Sequence, residues 1–476
     1  MANQPATGHV LTRTLNTLRT AWRGIGGAAY DADTAAARPD LPEEDAERLR
    51  QQMTACLETK GGEVAARARA AALGSAYLAL SAKGRRRFLR VLADNFDVDR
   101  AAVDAAMAAV RDAGGLEDRR KAERALRTTL KAPRVRLLTH FNALPQGVKF
   151  LVDMRADLLR FARQDPGLRE LEDDLRGLLA TWFDVDFLDL RRITWDSSPA
   201  SLLEKLIAYE AVHPIESWDD LKNRLDADRR WFAYFHPAMP GEPIIFVEVA
   251  LVEGMAGNVQ ALLDEAAPLN DPADATAAIF YSISNAQRGL AGIAFGNFLI
   301  KRVADALSHE FPGLGTFATL SPVPGFRAWL NGALDAEGPK LFKPAEWKRI
   351  TEVLPAGSAD GGRVKKLLDD RAWAGDPDRA AVLEGPLMRL CARYLAREKR
   401  PGGTTLDPVA HFHLKNGARM ERLNWRGDLS PRGLEQSAGI MINYLYKLNE
   451  IDDNSDAYVT QGKVAVSSGL RALLKG

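Results

Sequence analysis

The 476-residue sequence predicts an α+β protein, in which an all-helical N-terminal bundle is followed by a mixed α/β domain. Two observations support this fold class. From Pro42 to about Thr181, nearly every stretch is rich in alanine, leucine and arginine at helical spacing. Every clear strand pattern lies later in the chain, and the best of them is IIFVEVALVEG at residues 244–254.

The composition changes near residues 182–200, where aromatic residues and acidic turns replace the alanine-rich runs. We therefore predict a helical domain at residues 1–186 and an α/β domain at residues 187–476. The helical half carries no spacing typical of a catalytic site, and its alanine-rich helices are of the kind that build packing or assembly surfaces. We expect Val110 and Leu130 to face the core of the bundle.

The helical half also contains the basic run Arg85, Arg86 and Arg87. Such a run either binds an anion or forms a solvated helix face, and we favour the solvated face.

Composition narrows the class of partner and the compartment. The chain has 64 basic and 63 acidic residues and a net charge of +1, which gives no reason to expect nucleic acid or an anionic membrane as a partner. Its two cysteines, Cys56 and Cys391, are too few for a disulfide framework or a cysteine zinc site. No run of 18 apolar residues and no apolar signal core occurs. We expect a cytoplasmic protein.

The segment at residues 278–326 predicts a strand, a glycine loop, a helix and a second strand. Ala278–Ser284 is an apolar run rich in strand-forming residues, and Gly315–Leu320 resembles it. Ser321 lies at the carboxyl end of the second strand, where we expect Pro322 to end the pairing. The helix between them presents one apolar face, formed by Phe295, Leu299, Ile300, Val303, Ala304 and Leu307.

The glycine loop contains Gly289, Gly292 and Gly296. Backbone N–H groups before a helix N-terminus suit a phosphate, and Arg288, Lys301 and Arg302 are near enough in sequence to add charge. The spacing matches neither a Walker A loop nor a dinucleotide fingerprint. From the residues alone, a phosphate loop and a helix start made small for packing are equally supported.

Two further stretches contain chemically reactive side chains. His411 and His413 would face one side of a strand, but no carboxylate or cysteine pattern joins them, so we predict no metal site. An acid/base histidine and a structural histidine both stay open. Tyr444 and Tyr446 either belong to the core or direct a hydroxyl into a cleft.

Four motifs taken together resemble the malonyl-CoA decarboxylase family: AQRGLAGIAFGNFLIKRV, TLSPVPGF, FHLKNGA and NYLYKL. The resemblance extends over residues 75–450, with the motifs in the same order. It implies a helical domain that mediates oligomerisation, as a dimer or a tetramer, and a catalytic domain related to the GNAT acyltransferases. It also implies conversion of malonyl-CoA to acetyl-CoA and carbon dioxide without a metal or an organic cofactor.

The resemblance assigns residues by motif. It implies a catalytic serine at Ser321, a catalytic histidine at His413 and a tyrosine that lines the site at Tyr446. The implied CoA-binding loop comprises Gln287, Arg288, Gly289, Leu290, Ala291, Gly292 and Ile293.

The chemistry suggests roles for these residues. Loss of carbon dioxide from a malonyl thioester leaves an enolate, which needs hydrogen-bond donors at its oxygen and a proton at C2. We expect His413 to supply the proton and Ser321 to contact the carboxylate or relay the proton. Tyr446 and Asn416 are candidate donors to the carboxylate or to the thioester oxygen. An acyl-serine route with Ser321 as nucleophile is the alternative.

Two other functional classes stay open: a different CoA-dependent acyltransferase on the same scaffold, and a non-catalytic acyl-CoA sensor.

Overall fold

The N-terminal part of the chain is helical, as predicted. The computed structural model describes residues 30–58, 62–183, 187–293, 298–354 and 361–475. The helices of this part are α1 Ala32–Ala37, α2 Glu43–Leu57, α3 Gly62–Ala79, α4 Ala82–Asn95, α5 Arg100–Arg111, α6 Leu116–Thr129, α7 Pro133–Asn142, α8 Gly147–Phe161 and α9 Arg169–Trp182. The predicted domain boundary at 186/187 borders residues 184–186, which lie outside the described residues, and it stays a prediction.

Helix α8 is the centre of the bundle and is apolar on most of its surface. Phe150, Leu151, Met154 and Leu158 are all fully buried. Small buried alanines let helix α3 pack closely against α1, α2 and α7. Burial of this kind supplies most of the stability of helices, because the propensity of isolated helices is marginal in water.

The basic run on α4 makes ion pairs within the bundle. Arg85 lies 3.2 Å from Asp157, and Arg86 lies 3.1 Å from Asp165. Arg87 donates to the carbonyl of Leu41. The run therefore connects α4 to neighbouring segments, a role that neither sequence interpretation included.

Helices α5 and α6 form a hairpin at the surface. Among the described residues, α6 buries no side chain and α5 buries only Val103. The expectation that Leu130 faces the core is wrong, since its side chain is 53% exposed. Its position follows the periodicity of an amphipathic helix, but nothing within the described chain covers that face.

The second part of the chain is built on a mixed sheet. Its strands are β1 Asp189–Ile193, β2 Arg229–Phe235, β3 Pro243–Val252, β4 Ala277–Asn285, β5 Thr316–Thr319, β6 Ser321–Pro322, β7 Arg419–Asn424 and β8 Met441–Leu445. Strands β1 to β5 are neighbours in chain order, and β8 follows β5 and pairs with both β6 and β7. The β4–β5 pair is parallel and the other pairs are antiparallel. The three predicted strands are confirmed as β3, β4 and β5.

The helices of this part are α10 Ala200–Tyr209, α11 Trp218–Asn223, α12 Val259–Leu263, α13 Phe298–Glu310, α14 Phe326–Glu337, α15 Pro344–Val353, α16 Gly361–Asp369, α17 Pro377–Arg397, α18 Pro408–Lys415, α19 Pro431–Ser437, α20 Ile451–Gln461 and α21 Ser468–Lys475. Helix α13 is the predicted helix after the glycine loop. Phe295, predicted to belong to its apolar face, and Gly296, predicted to belong to the glycine loop, lie outside the described residues. Among the described residues, no helix is both long and apolar enough to cross a membrane.

Strands β4 and β5 separate after a short paired region. Their register runs from Ala277 opposite Thr316 to Phe280 opposite Thr319, and β4 then continues alone on that side to Asn285. A bulge in the β3–β4 pairing occurs at the same level. The two parallel strands therefore open a gap at their carboxyl ends, the edge at which open α/β sheets commonly bind ligands.

The chain beyond β5 departs from the prediction at one point. Pro322 does not end the pairing, because Ser321 and Pro322 form β6 and pair with Ile442 and Met441 of β8. A proline is tolerated in a strand of two residues, where it interrupts no continuous ladder.

Candidate active site

A row of hydrogen-bonded side chains lies at the carboxyl end of β5. The hydroxyl oxygen of Ser321 lies 3.2 Å from Nε2 of His413. On the far side of the ring, Nδ1 of His413 lies 2.8 Å from the Tyr446 hydroxyl. Ser321 donates its own proton to Oγ1 of Thr319 at 2.8 Å. The structure thus brings together three residues that are widely separated in sequence.

His413 is held by a well-capped helix. The Asp407 side chain accepts from the N–H groups of Val409 and Ala410, and Pro408 occupies the first turn. His413 lies in the last turn and is 3% exposed. Its ring stacks on Tyr444 at 4.4 Å between centroids. Burial lowers the pKa of His413 to about 3, so the imidazole is neutral at physiological pH.

The two tyrosines of β8 and its exit behave differently. The N–H of Tyr446 donates to Phe317 O, which fixes the backbone, and its hydroxyl is directed at His413. Burial raises the pKa of Tyr446 well above its usual value, so the phenol keeps its proton. The Tyr444 hydroxyl is buried and has no partner within the described chain. Tyr444 therefore serves as an aromatic platform under His413.

Asn416 ends helix α18. Its Nδ2 donates to Phe412 O at 2.7 Å, in the same turn of the chain. Within the described chain no hydrogen bond joins Asn416 to Ser321, His413 or Tyr446. This geometry accounts for Asn416 as a helix terminator, and its role as a donor to substrate stays a prediction.

His411 does not join a site with His413. Both histidines lie on helix α18 and not on a strand, so two residues of separation directs them to different sides. Nδ1 of His411 contacts the Tyr458 hydroxyl at 2.8 Å. Among the described residues, no group of three or more His, Cys, Asp or Glu side chains is arranged to hold a metal ion.

The loop after β4 is a tight turn with one exposed side. The N–H groups of Leu290, Ala291 and Ile293 donate to the carbonyls of Gln287, Arg288 and Leu290. Gln287 is buried and its Nε2 donates to Pro243 O. Arg288, Ala291 and Gly292 face outward, whereas Leu290 and Ile293 are buried.

Glycine is needed at the two described glycine positions of the loop for different structural reasons. A Cβ on Gly289 would lie 1.7 Å from Val152 O of helix α8, so the packing interpretation holds at this position. Gly292 has φ +77° and open space around it, so here glycine meets a conformational demand. Of the cations predicted to assist, Lys301 pairs with Asp452 and Arg302 donates to Leu188 O, which leaves Arg288 as the exposed one in the loop.

The family of the chain follows from comparison with known proteins. The family model "Malonyl-CoA decarboxylase C-terminal domain" matches residues 186–476, and "Malonyl-CoA decarboxylase N-terminal domain" matches residues 96–183. The chain belongs to the malonyl-CoA decarboxylase family.

Relatives in this family are similar over most of their length. The chain is 38% identical to the mitochondrial malonyl-CoA decarboxylase of Mus musculus over 474 residues, 95% of this chain and 92% of that one. It is 41% identical to the Rattus norvegicus protein over 404 residues, 80% of each chain. Crystal structures of malonyl-CoA decarboxylases superpose with TM-scores of 0.81 (Rhodopseudomonas palustris) and 0.78 (Agrobacterium vitis). Their identities are 40% and 39%, and they cover 90% and 89% of this chain and 99% of theirs.

One residue of the helical half, Arg155, supports the loop at residues 287–293 and was not predicted from the sequence. Arg155 on α8 is 1% exposed and donates to Gly289 O at 2.6 Å and to Ala291 O at 2.9 Å. It also forms an ion pair with Glu172 of α9 at 2.7 Å. The available signal was that Arg155 falls at helical spacing between the apolar residues Leu151 and Leu158, but its partners in the loop are more than 130 residues away in the chain.

Proposed function

We propose that this protein converts malonyl-CoA to acetyl-CoA and carbon dioxide. The observation that carries the proposal is the buried hydrogen-bonded row of Ser321, His413 and Tyr446 in a chain of this family. Ser321 follows the carboxyl end of β5, and the loop at residues 287–293 follows the carboxyl end of its parallel neighbour β4. A thioester passing between the two strands would therefore meet the loop on one side and Ser321 on the other.

The proposed reaction uses the thioester as the electron sink. The bond between C2 and the carboxylate breaks, carbon dioxide leaves, and the electron pair enters the thioester as an enolate. C2 then takes a proton from Nε2 of His413, either directly or through the Ser321 hydroxyl, and water returns a proton to the imidazole. A neutral imidazole suits this step, because an enolate is a strong base and a neutral histidine can act as an electrophile at an enolising centre.

The direction of the hydrogen bonds supports the direct route over the acyl-serine route. A nucleophilic serine would donate its proton to the histidine. Here Ser321 donates to Thr319 instead. In this arrangement the Tyr446 hydroxyl is hydrogen-bonded to Nδ1 of His413, and we propose that it positions His413 and does not contact the substrate. Detection of a covalent acyl-Ser321 species by intact-mass spectrometry after quenching would exclude the direct route.

The loop at residues 287–293 is the proposed CoA site. Arg288 and Gly292 are exposed on its outer side, where a guanidinium and an unhindered backbone suit a phosphate. Replacing Arg288 with alanine is expected to raise KM for malonyl-CoA while leaving kcat near the wild-type value. An unchanged KM would remove Arg288 from the proposed site.

The deciding experiment measures carbon dioxide release from malonyl-CoA by the purified protein without an added acceptor. Release without an acceptor supports the decarboxylase and excludes an obligatory acyltransferase. Binding without release would indicate an acyl-CoA sensor. A parallel measurement with EDTA tests the cofactor-free mechanism, which a loss of activity would contradict.

We also propose a homo-oligomer that forms through the helical domain. The hairpin of α5 and α6 exposes Leu116, Leu130 and Met107 at 67%, 53% and 44%. Exposed apolar side chains on a projecting hairpin suit a second copy of this chain. Light scattering should report a lower mass for a variant with lysine at Leu116 and Leu130, and an unchanged mass would contradict this surface.

A cytoplasmic location is proposed as well, since both cysteines are free and buried, as a reducing compartment allows. Cell fractionation tests it. Breakdown of malonate-derived malonyl-CoA and control of fatty-acid synthesis would both use this reaction.

A further inference from the structure

Thr319 lies beside the proposed catalytic row but is not part of it. It is two residues before Ser321, so the two side chains lie on the same face of the extended chain. Its side chain is fully buried. Its Oγ1 accepts two hydrogen bonds, from the Ser321 hydroxyl at 2.8 Å and from the N–H of Tyr444 at 3.2 Å.

These contacts indicate which atom is the hydrogen-bond donor at each step of the row. A serine hydroxyl has one proton to donate, and Ser321 donates it to Thr319. The nitrogen of His413 that faces Ser321 must then be the donor in the pair, because the serine oxygen can only accept there. At the other end the Tyr446 phenol donates to Nδ1. Each proton is thus donated in one direction, from Tyr446 to His413, from His413 to Ser321, and from Ser321 to Thr319 outside the row.

We propose that Thr319 is a positioning residue, whose hydroxyl orients Ser321 and thereby holds His413 as the tautomer with its proton on Nε2. The meaning of this tautomer for turnover rests on the proposed decarboxylation, in which Nε2 delivers the proton to C2. Without the Thr319 acceptor, the Ser321 hydroxyl is free to turn and donate to Nε2. His413 would then carry its proton on Nδ1, where it cannot be transferred to the substrate.

The backbone of residues 319 and 320 is held by contacts other than the threonine hydroxyl. Thr319 O accepts from Nδ2 of Asn443 at 2.7 Å, and the following Leu320 N–H donates to Phe280 O. Valine matches threonine in shape and lacks only the hydroxyl. Thr319→Val therefore keeps the shape but removes the acceptor of the Ser321 hydroxyl and of the Tyr444 N–H. Thr319→Ser keeps this acceptor while losing a methyl group.

The test compares the wild type, Thr319→Val and Thr319→Ser after labelling of histidine with ¹⁵N. The His413 signals are assigned by their loss in His413→Gln. Long-range ¹H–¹⁵N spectra distinguish the two tautomers, and steady-state kinetics give kcat and KM. We expect the wild type and Thr319→Ser to show a protonated Nε2. We expect Thr319→Val to populate the Nδ1–H form and to lose about tenfold or more in kcat, with little change in KM.

Several results would overturn the proposal. Wild-type tautomer signals in Thr319→Val would show that the threonine does not set the proton position. A switched tautomer with unchanged kcat would show that the tautomer does not govern turnover. Loss of kcat in Thr319→Ser equal to that in Thr319→Val would assign the effect to volume. If Thr319→Val does not fold, Thr319→Ala takes its place, with a melting curve as control. The spectra need no turnover, so they decide the tautomer claim even if the wild type releases no carbon dioxide.

Discussion

Arg155 connects the helical half of the protein to the loop that we propose binds CoA. The change to test is Arg155→Met, which removes the guanidinium while keeping much of the apolar stem. It takes donors from Gly289 O and Ala291 O, and it leaves the Glu172 carboxylate without its partner. The Glu172 side chain is only 16% exposed.

We expect Arg155→Met to have two effects, one on the free energy of unfolding and one on KM. Removing one partner of a buried ion pair costs about 3–5 kcal/mol, so urea denaturation should show a drop of roughly that size in the free energy of unfolding. Hydrogen bonds to a charged group contribute about 1.5–3 kcal/mol each, and the loop loses two of them. If one of these hydrogen bonds stabilises the binding conformation of the loop, its loss should raise KM for malonyl-CoA by about tenfold or more.

A double variant separates the loss of stability from the rise in KM. Adding Glu172→Gln to Arg155→Met removes the unpaired carboxylate, so most of the lost stability should return. The loop carbonyls still lack their donor, so KM should stay raised, while kcat changes less than KM. Glu172→Gln alone is the matched control. Recovery of the wild-type KM in the double variant would refute the claim that Arg155 positions the loop.

Three further predictions concern the row of side chains and the glycine loop. Tyr446→Phe should lower kcat by about tenfold or more without raising KM, because His413 loses the donor at Nδ1; unchanged kcat in a steady-state assay would contradict the assignment. The depressed pKa of His413 contributes stability that is present above the unfolded pKa of about 6.5 and is lost as the pH falls toward the folded pKa of about 3. The unfolded state binds this proton first, so urea unfolding between those pH values should show a slope up to about 1.4 kcal/mol per pH unit steeper than in His413→Gln, and equal slopes would refute the buried neutral histidine. Gly289→Ala should destabilise the protein, because its Cβ would meet Val152 O at 1.7 Å, whereas Gly292→Ala should cost only the roughly 1 kcal/mol of its positive φ; melting temperatures in the opposite order would be inconsistent with the packing described.

Local periodicity accounts for much of what could be predicted. Helices at residues 42–181 and the strands β3, β4 and β5 follow from spacing that each segment carries by itself. The same local reasoning was wrong for Leu130, because an amphipathic pattern shows that a face is apolar but not what covers it. It was also wrong for Pro322, whose two-residue strand depends on β8, a segment from much later in the chain.

The sequence by itself determined the fold class, the family and the identity of Ser321, His413 and Tyr446 as candidates. Only the tertiary structure decided how they are connected, because hydrogen bonds between residues 92 and 33 positions apart have no local signature. It alone placed the Ser321 hydroxyl 2.8 Å from Oγ1 of Thr319, the contact on which the proposed proton order rests. It also revealed that the loop is held from the helical half by Arg155. These are properties of side chains meeting across elements, and burial makes each of them energetically costly to leave unpaired.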